Sequence, residues 1–149
     1  MDSTAFDILL VEDSPSDQLL AKRALAEDSL RCRVHVVPDG VEAMAFLRRE
    51  GKYGSTPRPS LILLDLNMPR KSGREVLAEV KTSEALKRIP IVVLTTSQSP
   101  HDLDSAYGLH ANCYIVKPID FEAFKQSMRA IKEFWFKTVC LPNEGTPEG

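Results

Sequence analysis

The sequence predicts an α/β domain in which five strands alternate with five helices, a (βα)5 doubly wound fold with helices on both faces of a parallel sheet. Two observations carry this. The runs Ile8–Val11, Leu61–Leu64, Ile91–Leu94 and Tyr114–Val116 are apolar without alternation, as in strands buried on both faces. The segments between them repeat apolar residues at helical spacing.

Taken in order, the first run ends in Glu12-Asp13, and Ser14-Pro15 then offers a helix cap followed by a first-turn proline. Leu19, Leu20, Ala24 and Leu25 form a helical stripe to about Glu27. Val34–Val37 reads as a short strand, with His35 as a strand-surface histidine. Asp39-Gly40 turns the chain into a second helix carrying Val41, Met44, Phe46 and Leu47, ending near Gly51. Residues 51–60, rich in Gly, Ser, Thr and Pro, read as a loop, and Tyr53 as an ordinary loop aromatic. The central run 61–64 ends in Asp65. Arg70–Gly73 leads into a third helix with Val76, Leu77 and Val80 inward. Pro90 opens the fourth strand, Pro100–Leu109 suggests a weakly patterned helix, and a last helix spans about 120–137.

In open α/β sheets, ligand chemistry sits at the carboxyl ends of the strands. Here the ends carry Glu12-Asp13, Asp65, Thr95-Thr96 and Lys117-Pro118. Three carboxylates brought together repel one another and favour a hard cation. A lysine and a hydroxyl at the same rim can hold phosphoryl oxygens. A carboxylate beside a divalent ion can attack phosphorus and become an aspartyl phosphate.

The set Glu12-Asp13, Asp65, Thr95 and Lys117-Pro118, with Asn67-Met68-Pro69 and Gly73–Leu77, resembles the receiver domain of two-component response regulators, the CheY-like family. The resemblance covers about residues 6–137. It implies a flavodoxin-like sheet of order 2-1-3-4-5, a receiver domain over 1–137, and a tail, 138–149, with no output domain. The stretches 74–81 and 92–97 and the Phe134-Trp135-Phe136 tail look closer still to the small single-domain regulators that partner cyanobacterial phytochromes.

The resemblance also implies roles. Asp65 is the phosphoacceptor. Mg²⁺, for which Mn²⁺ can substitute, is held by Asp13, Asp65 and the backbone carbonyl of Asn67, with Glu12 acting through water. Thr95 and Lys117 bind the phosphoryl group, Thr95 and Tyr114 form a switch, and the bond to Pro118 is cis. Each residue has a plainer alternative. Asp65 could open a turn, and Glu12-Asp13 could be acids favoured at a helix N-terminus. Thr96 satisfies strand chemistry as well as Thr95, which is preferred because it directly follows the apolar run, as the family pattern requires. Lys117 could be solvated, and Tyr114 could be a plain strand aromatic.

Composition bounds the rest. With 43% hydrophobic and 27% charged residues, the 149-residue chain can bury a core without disulfides. Net charge is −2 with no basic block, which argues against direct binding of nucleic acid. The first residues have no signal-peptide pattern, and no apolar run approaches the ~20 residues of a membrane span. Cys32, Cys113 and Cys140 form no zinc pattern and fit a cytoplasmic chain with free thiols.

The functional expectation is a phosphorylation switch, not a conventional enzyme. A sensor histidine kinase of phytochrome type phosphorylates Asp65, the chain directs its own phosphotransfer and slow dephosphorylation, and the output is a surface or assembly change. The alternative is a phosphohydrolase of the haloacid-dehalogenase type. It would need a second aspartate at position 67, where Asn67 stands, and a cap insertion for which there is no room. A nucleotide binder would need a glycine-rich loop after the first strand, where the chain has Glu12-Asp13-Ser14-Pro15. In the last helix, Phe121, Phe124, Met128, Ile131 and Trp135 form the stripe facing the sheet. Phe134, Phe136 and Leu141 lie off that stripe and are expected to build a homodimer; the alternative is a tail that folds back on its own domain.

Overall fold

The computed structural model describes residues 6–26, 32–66, 68, 70–95, 108, 111, 113–117 and 120–135. They form strands β1 (Phe6–Val11), β2 (Cys32–Val37), β3 (Leu61–Asp65), β4 (Ile91–Thr95) and β5 (Cys113–Val116). The helices are α1 (Pro15–Leu25), α2 (Gly40–Arg48), α3 (Gly73–Lys81) and α4 (Phe121–Glu133), with a 3₁₀ turn at Gly51–Tyr53. All strand pairs are parallel, in the order β2-β1-β3-β4-β5. The expected helix around 100–109 lies outside the described residues apart from Gly108.

Each central strand is buried on both faces, which explains its unbroken apolar run. Leu9, Val11, Ile62, Leu64, Ile91 and Val93 pack with α2 and α3 residues such as Phe46, Val76 and Leu77. The alternate residues Ile8, Leu10, Leu61, Leu63, Val92 and Leu94 pack with Leu25 of α1 and Phe124, Met128 and Ile131 of α4. Leu61–Leu64 are all fully buried, and each such side chain contributes about 1.5–3 kcal/mol. This fixes β3, and with it Asp65, at the centre of the sheet.

The helix starts follow their caps. Ser14 Oγ accepts from Asp17 N at 3.3 Å, Asp39 Oδ1 from Glu42 N at 2.9 Å, and Asp120 Oδ2 from Ala123 N at 3.3 Å. Ser72 and Glu75 form a reciprocal capping box at α3. That start is pressed against the end of β3. Gly73 N donates to Leu66 O at 3.0 Å, and a Cβ on Gly73 would sit 2.2 Å from Asp65 O. Only glycine lets the α3 backbone approach the end of β3 this closely.

Several boundaries and contacts differ from the sequence expectation. β2 begins at Cys32, because its register pairs Cys32 with Phe6 and extends the ladder two residues earlier. α2 ends at Arg48, because Arg49 adopts a left-handed backbone with φ 56°. Tyr53 is not a bare loop aromatic: its hydroxyl donates to Glu42 Oε1 at 2.5 Å and its ring lies 5.6 Å from that of Phe46. His35 is half-buried and meets Asp7 Oδ1 at 2.9 Å. Arg33 shares that carboxylate, and although burial opposes its charge, the bonds to Arg33 and His35 hold the Asp7 carboxyl below the ordinary range.

Candidate functional site

Parallel pairing places the carboxyl ends of the strands along one edge. Val11 is in register with Leu64, Asp65 with Leu94, and Thr95 with Val116. Glu12, Asp65, Thr95 and Lys117 therefore sit at the ends of four adjacent strands, within two residues of the same level. Local bonds fix them further. Glu12 N donates to Val37 O at 3.0 Å, and Lys117 N donates to Thr95 O at 2.7 Å.

The side chains then converge. Carboxylate oxygens of Glu12, Asp13 and Asp65 all lie within 4.8 Å of one another. Lys117 Nζ donates to Glu12 Oε1 at 2.5 Å and to Asp17 Oδ2 at 3.1 Å, and stands 3.5 Å from Asp65 Oδ2. Glu12, Asp65 and Lys117 are nearly buried, whereas Asp13 is exposed. Glu12 also accepts from Ser14 N at 3.2 Å, and its carbonyl accepts from Gln18 Nε2 at 2.6 Å.

Burial dominates the electrostatics of Glu12. Desolvation pushes its carboxyl up to about 7 against the stabilising bond from Lys117, and the charge of Asp65 adds to the rise. Burial also opposes the charge on Lys117, but the bonds and fields of Glu12, Asp65 and Asp17 outweigh it and raise its pKa. Three hard oxygen donors, two buried and one open to water, fit a small divalent cation that keeps part of its hydration shell. The donor set contains no sulfur or imidazole, so a soft metal is disfavoured.

Glu12, Asp13, Asp65 and Lys117 are thus brought together. Thr95 is fully buried at the end of β4. Tyr114 lies half-buried on β5 against the core cluster on the α2–α3 face. Phe134 follows α4 and is 51% exposed, with its ring edge-on to Trp135 at 5.1 Å. Asn67, Pro118, Phe136 and Leu141 lie outside the described residues. Sequence reasoning missed Asp17 and Gln18. An acid in the first turn of the helix after Glu12-Asp13 was the available signal for Asp17; Gln18 gave none. It also missed Lys132, which is buried on α4 and donates to Leu25 O at 2.6 Å.

A doubly wound sheet with an acidic cluster and a lysine at its carboxyl edge is the architecture of a phosphorelay receiver. The family model for the response regulator receiver domain matches residues 8–129, and the chain belongs to that family. It is 48% identical over 135 residues to response regulator Rcp1 of Synechocystis, covering 91% of this chain and 92% of that protein. It is 45% identical over 131 residues to a probable methanogenesis regulatory protein, FilR2, of Methanothrix harundinacea, covering 87% and 83%. Among solved structures, the phosphorylated cyanobacterial phytochrome response regulator RcpA superposes with a TM-score of 0.90 at 49% identity, over 94% of this chain and 100% of that one. The Mn²⁺-bound form of Rcp1 superposes with a TM-score of 0.87 at 47% identity, over 93% and 99%. Among the described residues, no helix is long and apolar enough to cross a membrane.

Lys117→Ala tests the arrangement. Removing the cation leaves Glu12 and Asp65 without their shared partner, so the metal-free chain is expected to lose stability. Mg²⁺ binding should stay intact or tighten, because a competing positive charge is gone. Calorimetric titration checks this, and weakened Mg²⁺ binding would place Lys117 among the cation's supports instead.

Proposed function

We propose that this chain is a response regulator that accepts a phosphoryl group on Asp65 from a sensor histidine kinase, in a Mg²⁺-dependent step. The observation that supports this most directly is the convergence of the Glu12, Asp13 and Asp65 carboxylates beside Lys117. In the reaction, an Asp65 carboxylate oxygen attacks phosphorus as the P–N bond to the kinase histidine breaks, and the histidine nitrogen leaves. Lys117 supplies positive charge to the transferred group, and the Thr95 hydroxyl donates to one of its oxygens. Asp13, Asp65, Glu12 through water and the carbonyl of Asn67 would hold the cation, which supplies further charge neutralisation when bound. Hydrolysis of the aspartyl phosphate resets the chain.

The positions of Thr95 and Tyr114 support the switch reading. Thr95 and Tyr114 lie on neighbouring strands, Tyr114 in register with Val93. Movement of Thr95 toward a phosphoryl group opens space into which Tyr114 repacks, and the surface near the expected helix around 100–109 and near α4 changes. The bond to Pro118 is assigned cis in this reading. The likeness to Rcp1 and RcpA supports a phytochrome-type kinase as the donor. The receiver unit is taken to run through residue 137, and the setting is the cytoplasm. The haloacid-dehalogenase reading has no comparable support.

A homodimer through the end of α4 and the tail is part of the proposal. Phe134 is 51% exposed at the end of α4, whose neighbouring stripe is already committed to the sheet through Phe124, Met128 and Ile131. In a symmetric dimer, Phe134, Phe136 and Leu141 would meet the same patch of the second copy.

Incubation with acetyl phosphate and Mg²⁺ should add one phosphoryl group by intact mass, and chelating the metal should prevent it. Asp65→Asn should abolish the label, since an amide is a poor nucleophile; stoichiometric labelling of that variant would identify a different acceptor.

Replacing Phe134 and Phe136 together by serine should convert a dimer into a monomer that still accepts phosphate. Light scattering at micromolar concentration decides it. A wild-type monomer, with and without phosphoryl donor, excludes the dimer.

A further inference from the structure

Lys117 has three carboxylate neighbours, and the chemistry proposed above uses only two of them. Glu12 and Asp65 take part in holding the cation and the phosphoryl group; Asp17 does not. Yet Asp17 Oδ2 accepts from Lys117 Nζ at 3.1 Å, closer than Asp65 Oδ2, which stands 3.5 Å away. Glu12 Oε1 takes the shortest bond, at 2.5 Å. The ammonium therefore leans toward Glu12 and Asp17, away from the acceptor.

The fold fixes Asp17 in that position. Its backbone N–H donates to Ser14 Oγ at the cap of α1, and a carboxylate in the first helical turn is favoured by the helix dipole. The ammonium, by contrast, ends a long stem with room beside it. A cavity of about 40 Å³ borders Glu12, Asp17 and Lys117, with Leu10, Leu94, Phe121 and Phe124 closing its apolar side. Close-packed interiors hold few such voids, and one at this place lets the Lys117 stem shift without displacing core side chains. The Lys117 side chain is nearly buried, whereas that of Asp17 is 40% exposed. Water screens their pair from one side, so the bond is weak enough to be exchanged for a stronger one.

Resting on the acceptor reading, we propose that Asp17 is a positioning residue: it holds Lys117 back until a phosphoryl group on Asp65 draws the ammonium away. A dianionic phosphoryl group, with several acceptor oxygens, outcompetes one half-exposed carboxylate for the same ammonium. Breaking the Asp17 bond opposes that move. Asp17 thus tunes how firmly Lys117 holds whatever occupies the acceptor.

The test uses the full chain, Mg²⁺ and beryllofluoride, an anion that binds an aspartate oxygen and imitates a phosphoryl group. Affinity is read by fluorine NMR. Asp17→Asn removes the competing charge and should tighten beryllofluoride binding about threefold or more. Asp17→Glu keeps the charge and should stay within about twofold of the unaltered chain. Both replacements fall at a half-exposed position and leave the core intact. A second readout is the nitrogen NMR signal of the Lys117 ammonium, assigned with Lys117→Arg. Asp17→Asn should shift that signal before beryllofluoride is added. At saturation the signals of variant and unaltered chain should coincide, because Lys117 has then left residue 17; a merely structural role for Asp17 would not bring them together. Unchanged or weaker beryllofluoride binding in Asp17→Asn overturns the assignment and leaves the acceptor reading standing. Equal tightening in Asp17→Glu, or a Lys117 signal indifferent to Asp17→Asn, does the same. Failure of the unaltered chain to bind beryllofluoride in the presence of Mg²⁺ overturns both.

Discussion

Lys117 Nζ lies between Glu12, Asp17 and Asp65, which come from the end of β1, the first turn of α1 and the end of β3. Much of the rest of the domain serves to keep that constellation in place. Carboxylates so close together and largely withdrawn from water repel strongly, and one ammonium group offsets only part of the repulsion. Burial adds the larger penalty, pushing the Glu12 carboxyl up to about 7, and the charge of Asp65 adds to it. Because that value lies above the ordinary 4.5, Glu12 stabilises the metal-free fold fully at low pH. This contribution is lost as pH rises through about 7. A divalent cation removes the same penalty at higher pH by replacing the proton.

The sheet is what makes such a site affordable. Leu61–Leu64 anchor β3 between two apolar layers, and Gly73 lets α3 close against its last residue. Only the side chains beyond the last core residue of each strand are free to be polar. The chemistry is therefore restricted to the positions at which each run ends, and this restriction gathers Glu12, Asp65, Thr95 and Lys117 on one edge. The opposite edge is built from helix ends and loops instead.

That same restriction decides how much could be read from the sequence. A strand buried on both faces must be continuously apolar, so the runs and the charged residues terminating them were visible directly, and the acidic cluster followed from their parallel arrangement. The partners of those residues were less visible. Asp17 reaches Lys117 only because of the rotational phase of α1, which a short apolar stripe does not define. His35 meets Asp7 through a cross-strand register that no local pattern records. Lys132 is buried because its ammonium reaches the last carbonyl of α1, whereas a lysine beside an apolar stripe ordinarily reads as solvated. Arg49 occupies a backbone conformation that its residue type argues against.

The central claim is that the three carboxylates form a preorganised cation site whose occupancy competes with the proton on Glu12. Calorimetric titration of Mg²⁺ into the unphosphorylated chain, repeated from about pH 5.5 to about pH 8, tests it most directly. The account predicts one saturable site that tightens as pH rises through about 7, with proton release on binding and marked loss of affinity in Asp13→Asn. Absence of saturable binding, or an affinity indifferent to both pH and Asp13→Asn, would contradict it.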